Sequence, residues 1–379
     1  MEKIKLAFIG GGLNSAVGYT HFSATRIDNL FKIESGCFSR NHTINLETAK
    51  YWDVPRVYFD WLTLLENEVS QVDAVVVITP TNNHYEIIMK ALEMGYSVIA
   101  EKPLASNLKE GTDIAKRVEQ NRSFLAVTYN YTGYPMLREL QNMIQDDKLG
   151  KITNINIEMP QEGFARLLNG YKPEPQSWRL MDGKISGISL DLGTHLQNIV
   201  YFLTNENPKE LVADEASFGW FPQIVDNVSC IARYKSCMRV QMWYGKSSIG
   251  HRNGLRVRVY GSKGSAEWFQ MQPEELLIST INGDRIIIDR ASSNINVSNM
   301  SRYNRFKSGH PAGFIEAFGN LYFDIAVKLK QFKIDKNHNI DWPYNAFQST
   351  IGLEVFEAVR QSSLENKWIE INGVKIADI

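Results

Sequence analysis

Asp191 and His195 stand four residues apart in Asp191-Leu192-Gly193-Thr194-His195, a spacing that puts both on one face of a helix. Histidine changes charge near neutral pH, so a histidine beside a carboxylate is suited to giving or taking a proton. Both residues also have structural readings. Ser189 and Asp191 are N-capping types, and a lone histidine on the amphipathic stretch 195–203 is an ordinary core residue. The second chemical feature is Glu101-Lys102-Pro103, two charges and a ring that close the short apolar run 97–100. Read locally, Glu101 and Lys102 only solvate a strand end. At the carboxyl end of a buried parallel strand, however, they stand where open α/β sheets bind ligands. With Lys102 as a donor to a reacting oxygen, Lys102, Asp191 and His195 form a candidate catalytic set for a proton relay.

The elements that must position these groups begin at the N-terminus. Residues 4–9 read as a short apolar strand running into Gly10-Gly11-Gly12-Leu13-Asn14-Ser15. This matches G-x-G-x-x-G except that Ser15 stands for the third glycine. Gly10 allows a tight turn, Gly12 lets a pyrophosphate approach backbone N–H groups, and the Ser15 hydroxyl can meet a phosphate. A glycine triplet alone is also an ordinary turn. Its place after a first strand, and before a helical stretch through residue 27, makes Gly10, Gly12, Leu13, Asn14 and Ser15 a candidate dinucleotide site. Residues 31–38 read as the second strand, whose end would hold the adenosine ribose. An acidic residue there favours NAD. Ser39, Arg40 and Asn41 follow instead, and an Arg40 that meets a 2′-phosphate inclines the choice between NAD and NADP towards NADP. The plain alternative is an exposed loop arginine.

Residues 73–78 are continuously apolar after Asp73, as a strand covered on both faces should be. Thr79, Pro80 and Asn82 follow and can line the nicotinamide ribose. His84 opens the next helix, where a histidine caps or positions more often than it reacts, and it is assigned to the cofactor region. A helix to about residue 93, the strand 97–100, a helix over 107–119 and a strand over 124–127 complete the alternation. Such alternation argues for a doubly wound α/β domain. Glu101 and Asn130 then belong to its cofactor side.

A length of 379 residues exceeds what one core usually supports, so two domains are expected, 1–130 and 131–379, with the last helices able to pack back on the first. The 41 basic and 42 acidic residues nearly cancel, which removes the basic field that nucleic-acid binding needs. No apolar run approaches the roughly 20 residues of a membrane helix. The N-terminal apolar stretch is too short for a signal peptide, and Cys37, Cys230 and Cys237 lack metal spacing. A reducing cytoplasm is the expected setting.

Beyond residue 151 the pattern changes to half-buried strands. Ile155 and Ile157 alternate with Asn154, Asn156 and Glu158. Further strands are expected over 228–234, 238–244, 255–260, 265–270, 276–280 and 285–288, with a tight hairpin at Gly261-Ser262-Lys263-Gly264. The fold class is therefore α/β plus α+β: an N-terminal Rossmann domain and a C-terminal open, largely antiparallel sheet with helices on one face. Residues 289–309, rich in Ser and Asn, read as a long loop and a candidate lid. Helices over about 311–329 and 344–361 finish the chain.

Taken together, Gly10-Gly11-Gly12, Thr79-Pro80 with His84, Glu101-Lys102-Pro103 and Asp191-x-Gly193-x-His195 resemble the glucose–fructose oxidoreductase / inositol dehydrogenase / MocA family. Tyr129-Asn130-Tyr131-Thr132-Gly133-Tyr134-Pro135 and Gly309-His310-Pro311-Ala312-Gly313-Phe314 are similar to segments of its sugar-dehydrogenase-like branch. The resemblance implies an NAD(P)-dependent enzyme moving a hydride between nicotinamide and a secondary hydroxyl or keto group of a sugar, sugar derivative or cyclitol. It implies His195 as general base or acid and Asp191 as its orienter or as the holder of a neighbouring hydroxyl. Lys102 would bond the reacting oxygen, with Pro103 fixing the strand exit through a peptide bond that is often cis. It also implies a homodimer or homotetramer formed through the second-domain sheet.

A polyol fits the donors and aromatic faces of Asn130, Tyr131, Trp178, Arg179 and His310, though each has an equally good structural role. Two further readings stand beside the dehydrogenase: an NAD-dependent glycosidase working by transient oxidation and elimination, and a cofactor-sensing regulator. The simultaneous presence of Lys102, Asp191 and His195 argues against the regulator.

Overall fold

A computed structural model describes residues 2–335 and 342–373, apart from the side chains of Ser177 and Trp178. Strands and helices alternate from the N-terminus: β1 (Ile4–Gly10), α1 (Ala16–Ile27), β2 (Phe31–Cys37), α2 (His42–Trp52), β3 (Arg56–Val57) and α3 (Trp61–Asn67). They continue as β4 (Ala74–Ile78), α4 (His84–Glu93), β5 (Ser97–Glu101), α5 (Leu108–Gln120) and β6 (Leu125–Thr128). Among the described residues these strands form one parallel sheet in the order β3-β2-β1-β4-β5-β6. Order reverses between β1 and β4, and that switch point is where such sheets bind dinucleotides. Val75, Val76 and Val77 of β4 are completely buried, which accounts for their unbroken apolar run. Each such side chain contributes about 1.5–3 kcal/mol.

The second sheet contains both hands of pairing. After α6 (Pro135–Gln145) come β7 (Ile152–Pro160), α7 (Thr194–Thr204), β8 (Pro208–Ala216), β9 (Asn227–Tyr234) and β10 (Arg239–Gly245). Then follow β11 (Arg256–Gly261), β12 (Gly264–Phe269), β13 (Leu276–Thr280) and β14 (Arg285–Ile288). The remaining elements are α8 (Phe314–Asp335), α9 (Ala346–Glu365) and β15 (Ile369–Glu370). The order is β14-β13-β12-β11-β7-β10-β9-β8-β15, parallel at β7–β10 and antiparallel elsewhere among the described strands. Alternate residues of β7, β9, β10 and β11 are buried, Ile157, Cys230, Met242 and Val257 among them. The hairpin expected at 261–264 joins β11 to β12.

The chain divides into two compact units, and the division differs from a single cut at residue 130. The first comprises the described residues of 1–133 and 314–350; the second comprises 134–313 and 351–373. Helix α8 belongs to the first unit because its buried face meets α1 and the turn at 130–133. Asn320 Nδ2 donates to the Gly133 carbonyl at 2.8 Å. The helix itself begins at Phe314 rather than near residue 311. Helix α7, read from sequence as amphipathic, is buried from Thr194 through Leu203.

Residues 289–309 are not a free lid. The carboxylate of buried Glu139 accepts the N–H groups of Val297 and Ser298 at 2.7 and 2.9 Å. Arg290, also buried, donates to the carbonyls of Tyr303 and His310 at 2.6 and 2.8 Å. Satisfying this many backbone groups pins a loop instead of releasing it.

Candidate active site

Within the first unit, the carboxyl ends of β1, β4, β5 and β6 gather most of the cofactor residues expected from sequence. Gly10 has φ +86°, and a Cβ there would fall 2.7 Å from the Ile78 carbonyl oxygen. That position requires glycine for conformation and for space. Gly12 donates its N–H to Phe38 O at 3.1 Å, and Leu13 N–H meets Thr48 Oγ1 at 3.1 Å. Leu13 and Asn14 are exposed. Ser15 is the N-cap of α1, its Oγ accepting from Gly18 N at 3.1 Å. It does not replace the third glycine, because the close helix–turn approach occurs at Gly18. A Cβ on Gly18 would lie 1.8 Å from the Gly11 carbonyl oxygen.

At the end of β2, Ser39 Oγ accepts the Asn41 N–H at 3.1 Å and Arg40 is exposed. Thr79 follows β4, Pro80 and Asn82 are exposed, and Asn130 follows β6 with 2% exposure. The Thr79 hydroxyl and the Asn130 amide nitrogen are buried without a hydrogen-bond partner. Buried polar atoms of this kind call for a polar group to meet them. A dinucleotide with its ribose and carboxamide has such groups, so the residues present fit one.

Lys102 is half-buried and directly follows β5, which includes Glu101 as a paired residue rather than stopping before it. The Lys102–Pro103 peptide bond is cis. Glu101 is buried and turned inward, its carboxylate accepting from Thr128 Oγ1 and meeting His21 Nε2 at 3.1 Å. These contacts brace the strand end. His84 does the same from the other side, with Nδ1 2.9 Å from Pro103 O and Nε2 2.8 Å from Thr79 O. Both histidines are buried, and they hold the residues before and after Lys102. His84 therefore positions backbone, in agreement with its placement on a first helical turn.

In the second unit, Asp191 lies on a π-helical turn, Ser189–Gly193, that runs directly into α7. Such turns are rare and are concentrated at functional sites. Asp191 does not cap α7; it belongs to the wider turn before it. Gly193 is required by packing: a Cβ there would fall 2.6 Å from the Phe356 ring and 3.0 Å from Tyr244. His195 sits in the first turn of α7 with 5% exposure. Asp191 Oδ2 takes two cations, Arg179 at 3.2 Å and Lys246. Arg179, expected near the substrate, is thus placed on the candidate catalytic carboxylate. Lys246 follows β10 and carries no motif that would reveal it in the sequence.

Other expected substrate residues are placed differently. Tyr131 is buried, its ring 5.8 Å from Phe314 in an edge contact within the first unit. His310, in the second unit, is exposed and edge-on to Phe306 at 4.6 Å. The side chain of Trp178 lies outside the described residues. His21, Gly18 and Tyr322 also escape sequence reading, though the glycine-rich segment continuing through Gly18 to His21 offers a signal.

Comparison with known proteins agrees with this architecture. Residues 4–129 match the model of the oxidoreductase family, NAD-binding Rossmann fold. Residues 137–267 match the GFO/IDH/MocA C-terminal domain. The uncharacterized oxidoreductase YfiI of Bacillus subtilis is 30% identical over 97% of this chain and 97% of its own length. The scyllo-inositol 2-dehydrogenase (NADP(+)) IolW of the same organism is 24% identical, over 70% of this chain and 68% of that protein. A solved structure of an inositol dehydrogenase homolog from Azotobacter vinelandii, complexed with NADH and myo-inositol, has a TM-score of 0.88 at 26% identity. The match covers 97% of this chain and 98% of that one.

Proposed function

This chain belongs to the Gfo/Idh/MocA family of NAD(P)-dependent oxidoreductases, and we propose that it transfers a hydride between nicotinamide and a secondary hydroxyl or keto group of a cyclitol or sugar. The observation that carries this reading is the placement of Lys102. It directly follows β5, the second strand beyond the switch point, with both chain neighbours tied down by buried histidines.

The glycine turn from Gly10 to Ser15 would hold the pyrophosphate, and Thr79 and Asn130 the nicotinamide end. The nicotinamide, when bound, supplies the hydride acceptor or donor. Lys102 donates to the reacting oxygen, stabilising alkoxide-like charge in oxidation and polarising the carbonyl in reduction. His195 takes the hydroxyl proton in oxidation and returns it in reduction, because an imidazole exchanges protons near neutral pH. Asp191, held by Lys246 and Arg179, accepts a hydrogen bond from a substrate hydroxyl. Arg40, with no carboxylate at Ser39 or Asn41, favours NADP over NAD.

The exposed face of the second sheet supports assembly as a homodimer or homotetramer. It carries Ile231 and Tyr260, 42% and 39% exposed, on strands whose other face is core. Cys37, Cys230 and Cys237 are free thiols, which suits the cytoplasm. Among the described residues no helix is long and apolar enough to cross a membrane.

The test is a panel of inositols, aldoses, uronates and anhydrosugars with NAD and NADP separately, following reduced cofactor by absorbance. Lys102→Ala should abolish turnover on the best substrate, by at least about a hundredfold, while reduced cofactor still binds. An unchanged kcat would overturn the assignment. Release of an aglycone without net reduced cofactor would instead identify a glycosidase.

A further inference from the structure

Two side chains at the end of β10, Tyr244 and Lys246, hold the turn that carries Asp191 and leads into His195. The Tyr244 hydroxyl, wholly buried, is 2.8 Å from Ser189 Oγ. Burial pushes its pKa well above the ordinary tyrosine value, so it keeps its proton. Ser189 Oγ is 2.9 Å from Ser186 Oγ, and Ser186 Oγ is 2.8 Å from Glu215 Oε1. The Ser186 hydroxyl is thus directed at both Ser189 Oγ and Glu215 Oε1, and the Tyr244 and Ser189 hydroxyls share one further bond. Arg360 closes the chain on the other Glu215 oxygen at 2.7 Å. The base of the π-helical turn is thus fixed to β8, β10 and α9 by hydrogen bonds.

Lys246 acts on the other side of the same turn. Its ammonium meets Asp191 Oδ2, the oxygen that Arg179 also reaches, and it sits 5.2 Å from the centre of the Phe164 ring. Its side chain is 13% exposed against 35% for Arg179, so the lysine is the less solvent-screened of the two cations. The Lys246 N–H donates to Asp226 O at 2.8 Å, which anchors the start of the side chain. Charge-assisted bonds from a fixed, partly buried donor are the strong kind.

We infer that Lys246 is a positioning residue that fixes the Asp191 carboxylate, and with it the substrate hydroxyl that Asp191 accepts from. This rests on the function proposed above. An ion pair that served stability alone would leave substrate affinity untouched once the protein is folded; a positioning residue would not.

The experiment compares wild type, Lys246→Met, Lys246→Arg, Asp191→Asn and the double variant Lys246→Met/Asp191→Asn. Each is assayed for kcat and KM on the best polyol of the panel, for affinity for reduced cofactor by its fluorescence, and for melting temperature. Lys246→Met should lower kcat/KM by about 10- to 100-fold, chiefly through KM, with cofactor affinity within about twofold. Lys246→Arg should recover most of the loss. The double variant should be no worse than Asp191→Asn, since Lys246 acts through that carboxylate. Equal kcat/KM in Lys246→Met and wild type, or fully additive losses in the double variant, would overturn this role while leaving the dehydrogenase reading intact. Wild type without turnover on any polyol would overturn the dehydrogenase reading, and the role of Lys246 with it.

Discussion

His21 Nε2 lies 3.1 Å from Glu101 Oε2, so a buried histidine of α1 holds the residue that precedes Lys102. Its Nδ1 is 2.7 Å from the Tyr322 hydroxyl of α8. Burial, reinforced by the Glu101 carboxylate, pushes the Tyr322 pKa well above its ordinary value, so Tyr322 keeps its proton. Helix α8 is thus linked through His21 of α1 to the carboxylate that ends β5. His21→Leu should therefore cost about 1–3 kcal/mol of stability, by removing the ring that both Glu101 and Tyr322 meet. It should also lower kcat at least about tenfold well below the melting temperature. Tyr322→Phe, which keeps the imidazole beside Glu101, should cost less than about threefold. Equal losses in the two variants would show that the contact between His21 and Glu101 does not carry the effect.

His84 makes stability depend on pH. Its burial outweighs the nearby carbonyls of Thr79 and Pro103 and the charge of Glu101, and holds its pKa below the ordinary histidine value. In the unfolded chain the ring takes up a proton near pH 6.5. Between the two values the unfolded chain binds more protons, so stability rises with pH across that window. The contribution is complete above about pH 6.5 and is lost as pH falls through the folded value. Melting temperature measured from pH 7.5 down to 5 should fall more steeply for wild type than for His84→Gln. Parallel curves would sink the assignment.

Where one physical rule governs a segment, the sequence is legible. The run Val75-Val76-Val77 reads as a doubly covered strand and is completely buried. Gly10 reads as a turn and has the positive φ that demands glycine. Legibility fails where polar residues hold core positions. Helix α2 shows no clear apolar stripe because Asn45 and Thr48 are among its buried residues. Asn45 satisfies itself by accepting from Phe38 N at 2.7 Å and donating to Tyr58 O at 2.8 Å. The spacing of Asp191 and His195 suggests one α-helical face, but a π-helical turn intervenes, which no residue pattern announces. Lys246 lies 55 residues from Asp191 in the chain, and only the pairing of β10 in the sheet brings it there.

Gly18 deserves its own variant, because it, and not residue 15, completes the glycine turn. A Cβ at Gly18 would lie 1.8 Å from Gly11 O and 2.3 Å from Gly11 C, so Gly18→Ala must push α1 off the turn. The neighbour is backbone and cannot swing aside. We expect a loss of more than about 2 kcal/mol in stability. Affinity for reduced cofactor should fall by at least about a hundredfold, read by fluorescence titration at a temperature where the variant is folded. Ser15→Ala, by contrast, removes only the N-cap and should cost about 1 kcal/mol with cofactor affinity nearly kept. If Gly18→Ala binds cofactor like wild type, the turn does not hold the pyrophosphate.

Arg40 is the residue through which the choice of dinucleotide can be tested. It follows Ser39, whose hydroxyl is occupied by the Asn41 N–H, and Asn41 caps α2 through its own side chain. Neither neighbour supplies the carboxylate that would bond a 2′-hydroxyl and repel a 2′-phosphate. The exposed guanidinium is free to meet a phosphate with two parallel bonds, which an ammonium cannot match. Wild type should therefore show the higher kcat/KM with NADP. Arg40→Ala should lower that value about 10- to 100-fold and leave the value with NAD within about threefold. Lys at the same position should recover only part of the loss. A wild type that prefers NAD, or an Arg40→Ala variant that loses both cofactors equally, would refute the assignment.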